Sequence, residues 1–134
     1  MTDEDIRWHQ RFRQFSNAFS LLEQAITIQH PSVVERAGII QFFEMAFELS
    51  WKLLKDYQQS EGFEVNSPRS AIKQAFQNEL LESGHLWIQA LEDRNLTTHT
   101  YNEATAVLVE QKIREDYYPL LVSLRDKFKA MIEP

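Results

Sequence analysis

The chain has 134 residues, 43% hydrophobic and 25% charged, enough for one globular core and too short for a second domain. A net charge of −6 excludes a broad electrostatic grip on long nucleic acid, so any nucleic-acid site must be small and local. The absence of Cys excludes disulfides, Cys-ligated zinc and a thiol nucleophile; with an acidic start at Met1 to Asp5 and no apolar run near the roughly 20 residues of a membrane span, the expectation is a cytoplasmic chain, neither exported nor embedded.

Only three Gly and four Pro interrupt the chain, and apolar residues recur at three- and four-residue intervals, which predicts an all-α fold. Thr2 with Asp5 reads as a capping box for a first helix, whose stripe Ile6, Trp8, Phe12, Phe15, Phe19, Leu22 and Ile26 runs to about Gln29. His30-Pro31 breaks it, because a residue before proline is pushed out of the helical region. Ser32 and Glu35 cap the second helix, which buries Ile39, Ile40, Phe43, Ala46, Phe47, Ser50, Trp51 and Leu54 and stops near Ser60 to Gly62. The short connection makes these two helices antiparallel neighbours.

Ser67-Pro68 starts a third helix, predicted over 68–80, with Pro at the position where its missing N–H costs nothing. A fourth follows Ser83-Gly84, carries Leu86, Trp87, Ala90 and Leu91, and fails near Asn95 to Thr100, where Asn and three Thr are poor helix formers. Thr100 with Glu103 predicts the cap of a last helix. Its stripe is Ala104, Val107, Leu108, Gln111, Ile113, Tyr117, Leu120, Leu121, Leu124 and Phe128, with Pro119 as a kink or the sequel to a local bend. The expected architecture is an antiparallel up-and-down four-helix bundle with an additional short helix, one domain over residues 1–134.

The segment Arg94 to Tyr101 reads as chemistry. It gathers a fixed cation whose planar fork fits phosphate, an imidazole (His99) that exchanges protons near neutrality, and a phenol (Tyr101). Five residues on an unbroken helix turn through about 500°, which puts Arg94 and His99 on faces roughly 140° apart; a helix break lets both reach one pocket. The structural alternative pairs Arg94 with Glu92 or Asp93, leaves His99 as a turn residue and lays Tyr101 over the core.

Other candidates carry less. His9, His30 and His85 have no partners at metal-ligand spacing, and the adjacent pairs Glu92-Asp93 and Glu115-Asp116 send their side chains in different directions, so no metal or cofactor site is read. Trp8, Trp51 and Trp87 fall in apolar stripes and read as core or interface. Lys52, Lys55, Arg69 and Lys73 read as a small basic patch or as solvated helix faces.

Nearly the whole length resembles the HEPN superfamily, specifically its HepT-like group, described as nucleotidyltransferase substrate-binding proteins. The resemblance is carried by Arg7-Trp8 and Phe12, Glu35-Arg36-Ala37-Gly38, the stretch from Phe47-Glu48 through Trp51-Lys52 to Tyr57, Ser67-Pro68-Arg69, and above all Asp93 to Glu103. It implies a four-helix bundle that forms a homodimer and is encoded beside a minimal nucleotidyltransferase, the two acting as toxin and antitoxin. The family pattern of Arg, polar residue, three residues, His and a Tyr two further on falls on Arg94, Asn95, His99 and Tyr101 without departure. In active relatives the Arg and His carry metal-independent RNA cleavage, and the Tyr is adenylylated by the partner enzyme to silence it.

The residues suit that role. Attack of a 2′-hydroxyl on the adjacent phosphorus needs proton transfers at two oxygens and positive charge near the nonbridging ones, which His99 and Arg94 supply. One His cannot easily serve both sides of an in-line displacement, so a composite site shared by two chains is expected. Asn95 is assigned to orienting His99 or binding a phosphate oxygen, and Tyr101 to the site's edge and to modification. The competing expectations are a non-catalytic subunit that binds substrate or nucleotide for a separate nucleotidyltransferase, and an interaction protein with a vestigial site.

Overall fold

Side-chain caps set the helix starts in the computed structural model, which describes residues 1–94 and 102–134. Thr2 Oγ1 accepts the Asp5 N–H at 3.1 Å while the Asp5 carboxylate accepts the Thr2 N–H at 3.3 Å, and α1 (Asp3–Ala25) follows. Ser32 and Glu35 make the same exchange ahead of α2 (Val33–Ser60). Ser67 caps α3 (Pro68–Gln77), and α4 (Gly84–Asp93) follows Ser83. The last helix comprises α5 (Glu103–Lys112), a π-helical turn (Ile113–Tyr117) and α6 (Tyr118–Ile132).

Three boundaries differ from the expected ones. α1 closes at Ala25 and not Gln29, because Thr27 and Ile28 turn back onto the carbonyls of Gln24 and Ala25. The carbonyls of Ile26 and Ile28 then accept from Arg114 of the π turn at 2.6 Å each. α3 stops at Gln77, closed by Glu79 in the left-handed region (φ 61°) and a bond from the Leu80 N–H to the Ala75 carbonyl. The cap of α5 is Asn102, whose side chain accepts the Thr105 N–H at 3.1 Å; Thr100 lies outside the described residues.

The fold is the expected up-and-down helical bundle, and no strand occurs among the described residues. α2 is its centre, packing against α1, α3, α5 and α6. Its stripe from Ile39 to Leu54 is buried as expected, against Phe15, Phe19 and Leu22 of α1, Trp87 of α4, and Tyr117, Leu121, Leu124 and Phe128 of the last helix. Ring pairs join the layers: Phe43 stacks on Tyr117 with centroids 5.5 Å apart, and Trp8 meets Phe128 edge-on at 5.7 Å.

The first half of the last stripe is a correction. Ala104, Val107, Leu108 and Gln111 are exposed, and the inward residues of α5 and the π turn are Ala106, Val109 and Ile113. α5 is apolar on both faces, so periodicity does not choose between them. Electrostatics does: Glu103 and Glu110 must reach Arg36 of α2, which turns Ala106 and Val109 inward. The π turn ends just before Pro119, where a widened turn relieves the clash and missing donor that proline brings.

Glu110 ties the two halves together, accepting from Arg36 Nε at 2.7 Å and from Arg114 Nε at 2.8 Å. Burial pushes this carboxyl up, and the two guanidinium bonds more than reverse that, holding it below its ordinary value of 4.5. A carboxylate depressed in the fold contributes stability that is complete above its unfolded pKa and lost as pH falls through the folded one. Urea midpoints should therefore drop on acidification below 4.5. Glu110→Gln should lower the midpoint at neutral pH and flatten part of that drop.

Candidate functional site

The end of α4 is fixed from two sides. Asp93 is buried, and its Oδ2 accepts from the Tyr117 hydroxyl at the end of the π turn and from Lys112 Nζ at 3.2 Å. Burial, and then the Asp93 bond, push the Tyr117 phenol far above its ordinary value, which favours the protonated hydroxyl that donates to Asp93. These bonds hold the last residue of α4 against the last helix.

The next residue is Arg94, the C-cap of α4, whose N–H still bonds to the Ala90 carbonyl at 3.0 Å. Its Nη1 pairs with Glu48 Oε2 of α2. That oxygen also accepts from Trp51 Nε1 at 3.0 Å, and Lys52 Nζ lies 3.6 Å from the other oxygen. Glu48, Trp51 and Lys52 share one face of α2 by their three- and four-residue spacing, so one carboxylate orients the guanidinium from a rigid helix. The Arg94 side chain is 23% exposed, enough to meet a ligand without leaving its carboxylate partner.

The structure therefore places Arg94, the first residue of the predicted site. Asn95, His99 and Tyr101 lie outside the described residues. The described residues that flank them are held by side chains: Asp93 by Tyr117 and Lys112, Arg94 by Glu48, Asn102 through its cap and Glu103 by Arg36.

The expected partners Glu92 and Asp93 are engaged elsewhere. Glu92 stands 3.5 Å from Arg69, in a different direction from Asp93, as the 100° step between adjacent helical residues requires. Sequence reasoning missed Glu48, Asp93, Lys112 and Tyr117. The Glu48-x-x-Trp51-Lys52 spacing was a usable signal, whereas nothing local links Asp93 to a phenol 24 residues away. Trp8, Trp51 and Trp87 are core residues. His9 donates from Nδ1 to the Asp5 carbonyl at 2.7 Å, and His30 and His85 are exposed. Among the described residues no three His, Asp or Glu groups cluster for a metal, and no helix is long and apolar enough to cross a membrane.

A helical bundle that holds an arginine at a helix end by a carboxylate of the central helix defines a class that comparison identifies. The chain belongs to the family described as nucleotidyltransferase substrate binding protein like, whose family model matches residues 10–130, in the HepT-like HEPN group. It is 29% identical to a Haemophilus influenzae protein named probable ribonuclease HepT, over 72% of this chain and 77% of that one. A crystal structure from Thermus thermophilus is 35% identical, covers 82% of this chain and 94% of its own, and superposes with a TM-score of 0.76. A Haemophilus influenzae structure described as the fold of a substrate binding domain of a nucleotidyltransferase is 25% identical over 88% and 98% of the two chains, TM-score 0.74. A tri-AMPylated Shewanella oneidensis HEPN toxin, solved in complex with its MNT antitoxin, shares the fold at 16% identity over 97% and 99%, TM-score 0.70.

Removing the Tyr117 hydroxyl leaves a buried carboxylate short of a donor. Tyr117→Phe should cost about 1–3 kcal/mol in urea denaturation. If it is neutral, the bond does not anchor α4.

Proposed function

We propose that this protein is the toxin of a toxin–antitoxin pair, a dimeric, metal-independent ribonuclease that uses Arg94 and His99. The observation that carries the reading is Arg94, locked at the end of α4 by Glu48 and opening the segment that holds His99 and Tyr101. The 2′-oxygen of RNA bonds to phosphorus as the bond to the 5′-oxygen breaks, leaving a cyclic phosphate and a free 5′-hydroxyl. His99 takes the proton from the attacking hydroxyl, and a second His99 supplies one to the leaving oxygen, which calls for two chains. Arg94 neutralises the phosphate, and Asn95 orients the imidazole or a phosphate oxygen. The exposed apolar face of α5, with Val107 and Leu108 just beyond the segment, supports a second copy there.

The partner in this reading is a minimal nucleotidyltransferase that adenylylates Tyr101, adding bulk and negative charge where the RNA phosphate must sit. The name of the Haemophilus relative supports the ribonuclease, and the AMPylated state of the Shewanella toxin supports the control. The reaction takes place on cytoplasmic RNA and needs no cofactor.

The family description and the Haemophilus structure favour a second reading, a non-catalytic subunit that binds nucleotide for a separate nucleotidyltransferase. Cleavage in excess EDTA separates the two. Unmodified protein should cut RNA, and Arg94→Ala and His99→Ala should each reduce the rate by about 10²-fold or more, the usual weight of a general acid–base group. No cleavage by protein whose mass excludes a modified Tyr101 favours the binding subunit.

A further inference from the structure

An apolar groove of about 230 Å³ lies between α3 and α4, floored by Ile72 and Ile88 and walled by Phe76, Lys73 and His85. Phe76 is 54% exposed, although Ala75 beside it is fully buried. Its ring rests against Gly84, where an added Cβ would lie 3.0 Å from Cγ and Cδ2, so the glycine lets the first turn of α4 back the ring. An aromatic side chain supported from behind and open in front is a stacking surface. Lys73 and His85 flank it and form no ion pair among the described residues.

The groove continues along the face of α4 that carries Glu92. Arg69 and Lys73 precede Phe76 on one face of α3 at spacings of four and three residues, and Arg69 closes on Glu92, two residues before Arg94. Along α4, nine residues separate His85 from Arg94 by about 13 Å of axial rise and about half a turn, so a strand that reaches both must pass around the end of the helix. We infer that this groove seats one unpaired base of single-stranded RNA, stacked on Phe76, with Lys73 and His85 against its flanking phosphates. A duplex keeps its bases stacked within and cannot present one. A protein partner on the same apolar patch would have no need of the two uncommitted basic side chains. The small footprint also answers the net charge of −6, which rules out a longer basic track. The proposal rests on the ribonuclease reading and adds selection for strands over duplexes.

The test is fluorescence anisotropy of a labelled single-stranded RNA oligonucleotide and its duplex on the His99→Ala protein, which binds without turnover. Phe76→Ala and Lys73→Glu should each weaken strand binding about tenfold, the scale of one lost stacking partner, and leave duplex binding unchanged. Gly84→Ala, which displaces the ring, should act in the same direction. If Phe76→Ala and Lys73→Glu bind as the parent does while Arg94→Ala loses affinity, the groove is refuted and the ribonuclease reading stands. If the parent binds no RNA, both fall. A loss of binding that follows a change in sedimentation would make Phe76 an assembly contact and also refute the groove.

Discussion

A carboxylate taken out of water at a helix end needs hydrogen-bond donors or it opens what surrounds it, and Asp93 finds two, Tyr117 and Lys112 of the last helix. This bond set is the constraint from which the site follows. It fixes the end of α4 to the last helix, while the next residue, Arg94, pairs with Glu48 of α2. The phenol that answers Asp93 closes the π turn, so the irregularity in the last helix and the position of the arginine are one arrangement.

A second polar network works at the other end of the motif segment. Arg36, Glu103, Glu110 and Arg114 join the start of α2, the first turn of α5 and the carbonyls beyond α1. Each charge has an opposite neighbour, so partial burial is offset and the ends of three helices are tied together. Among the described residues, Asp93 and Arg94 on one side of the motif and Glu103 on the other are thus each paired with side chains distant in sequence.

How much was legible in the sequence follows from how far each determinant reaches. The caps of α1, α2 and α3 were readable because Thr2, Ser32 and Ser67 act within three residues. The end of α1 was not, since the turn that closes it is held by Arg114, 88 residues away, through the carbonyls just beyond the helix. The inward face of α5 was misread because both faces are apolar and the deciding charge, Arg36, lies on another helix. At the site, Arg94 stood out as a fixed cation, and its helix does end there. Glu48, 46 residues distant, was invisible as a partner, although its spacing to Trp51 and Lys52 was in plain view. The parts assigned to Asn95, His99 and Tyr101 still rest on residue pattern and family membership.

The π turn also bears on how this fold can vary in length. The π turn takes up one residue more than an α turn, so if Ile113 to Tyr117 ran as regular α-helix at the same length, everything after it would rotate by about 100°. Leu121, Leu124 and Phe128 would then swing out of phase with α1 and α2. Loop insertions between α2 and α3 meet no such penalty. Descendants of this chain are thus free to drift in the length of their connections, while the number of residues from Glu103 to Phe128 and the widened turn can change only together.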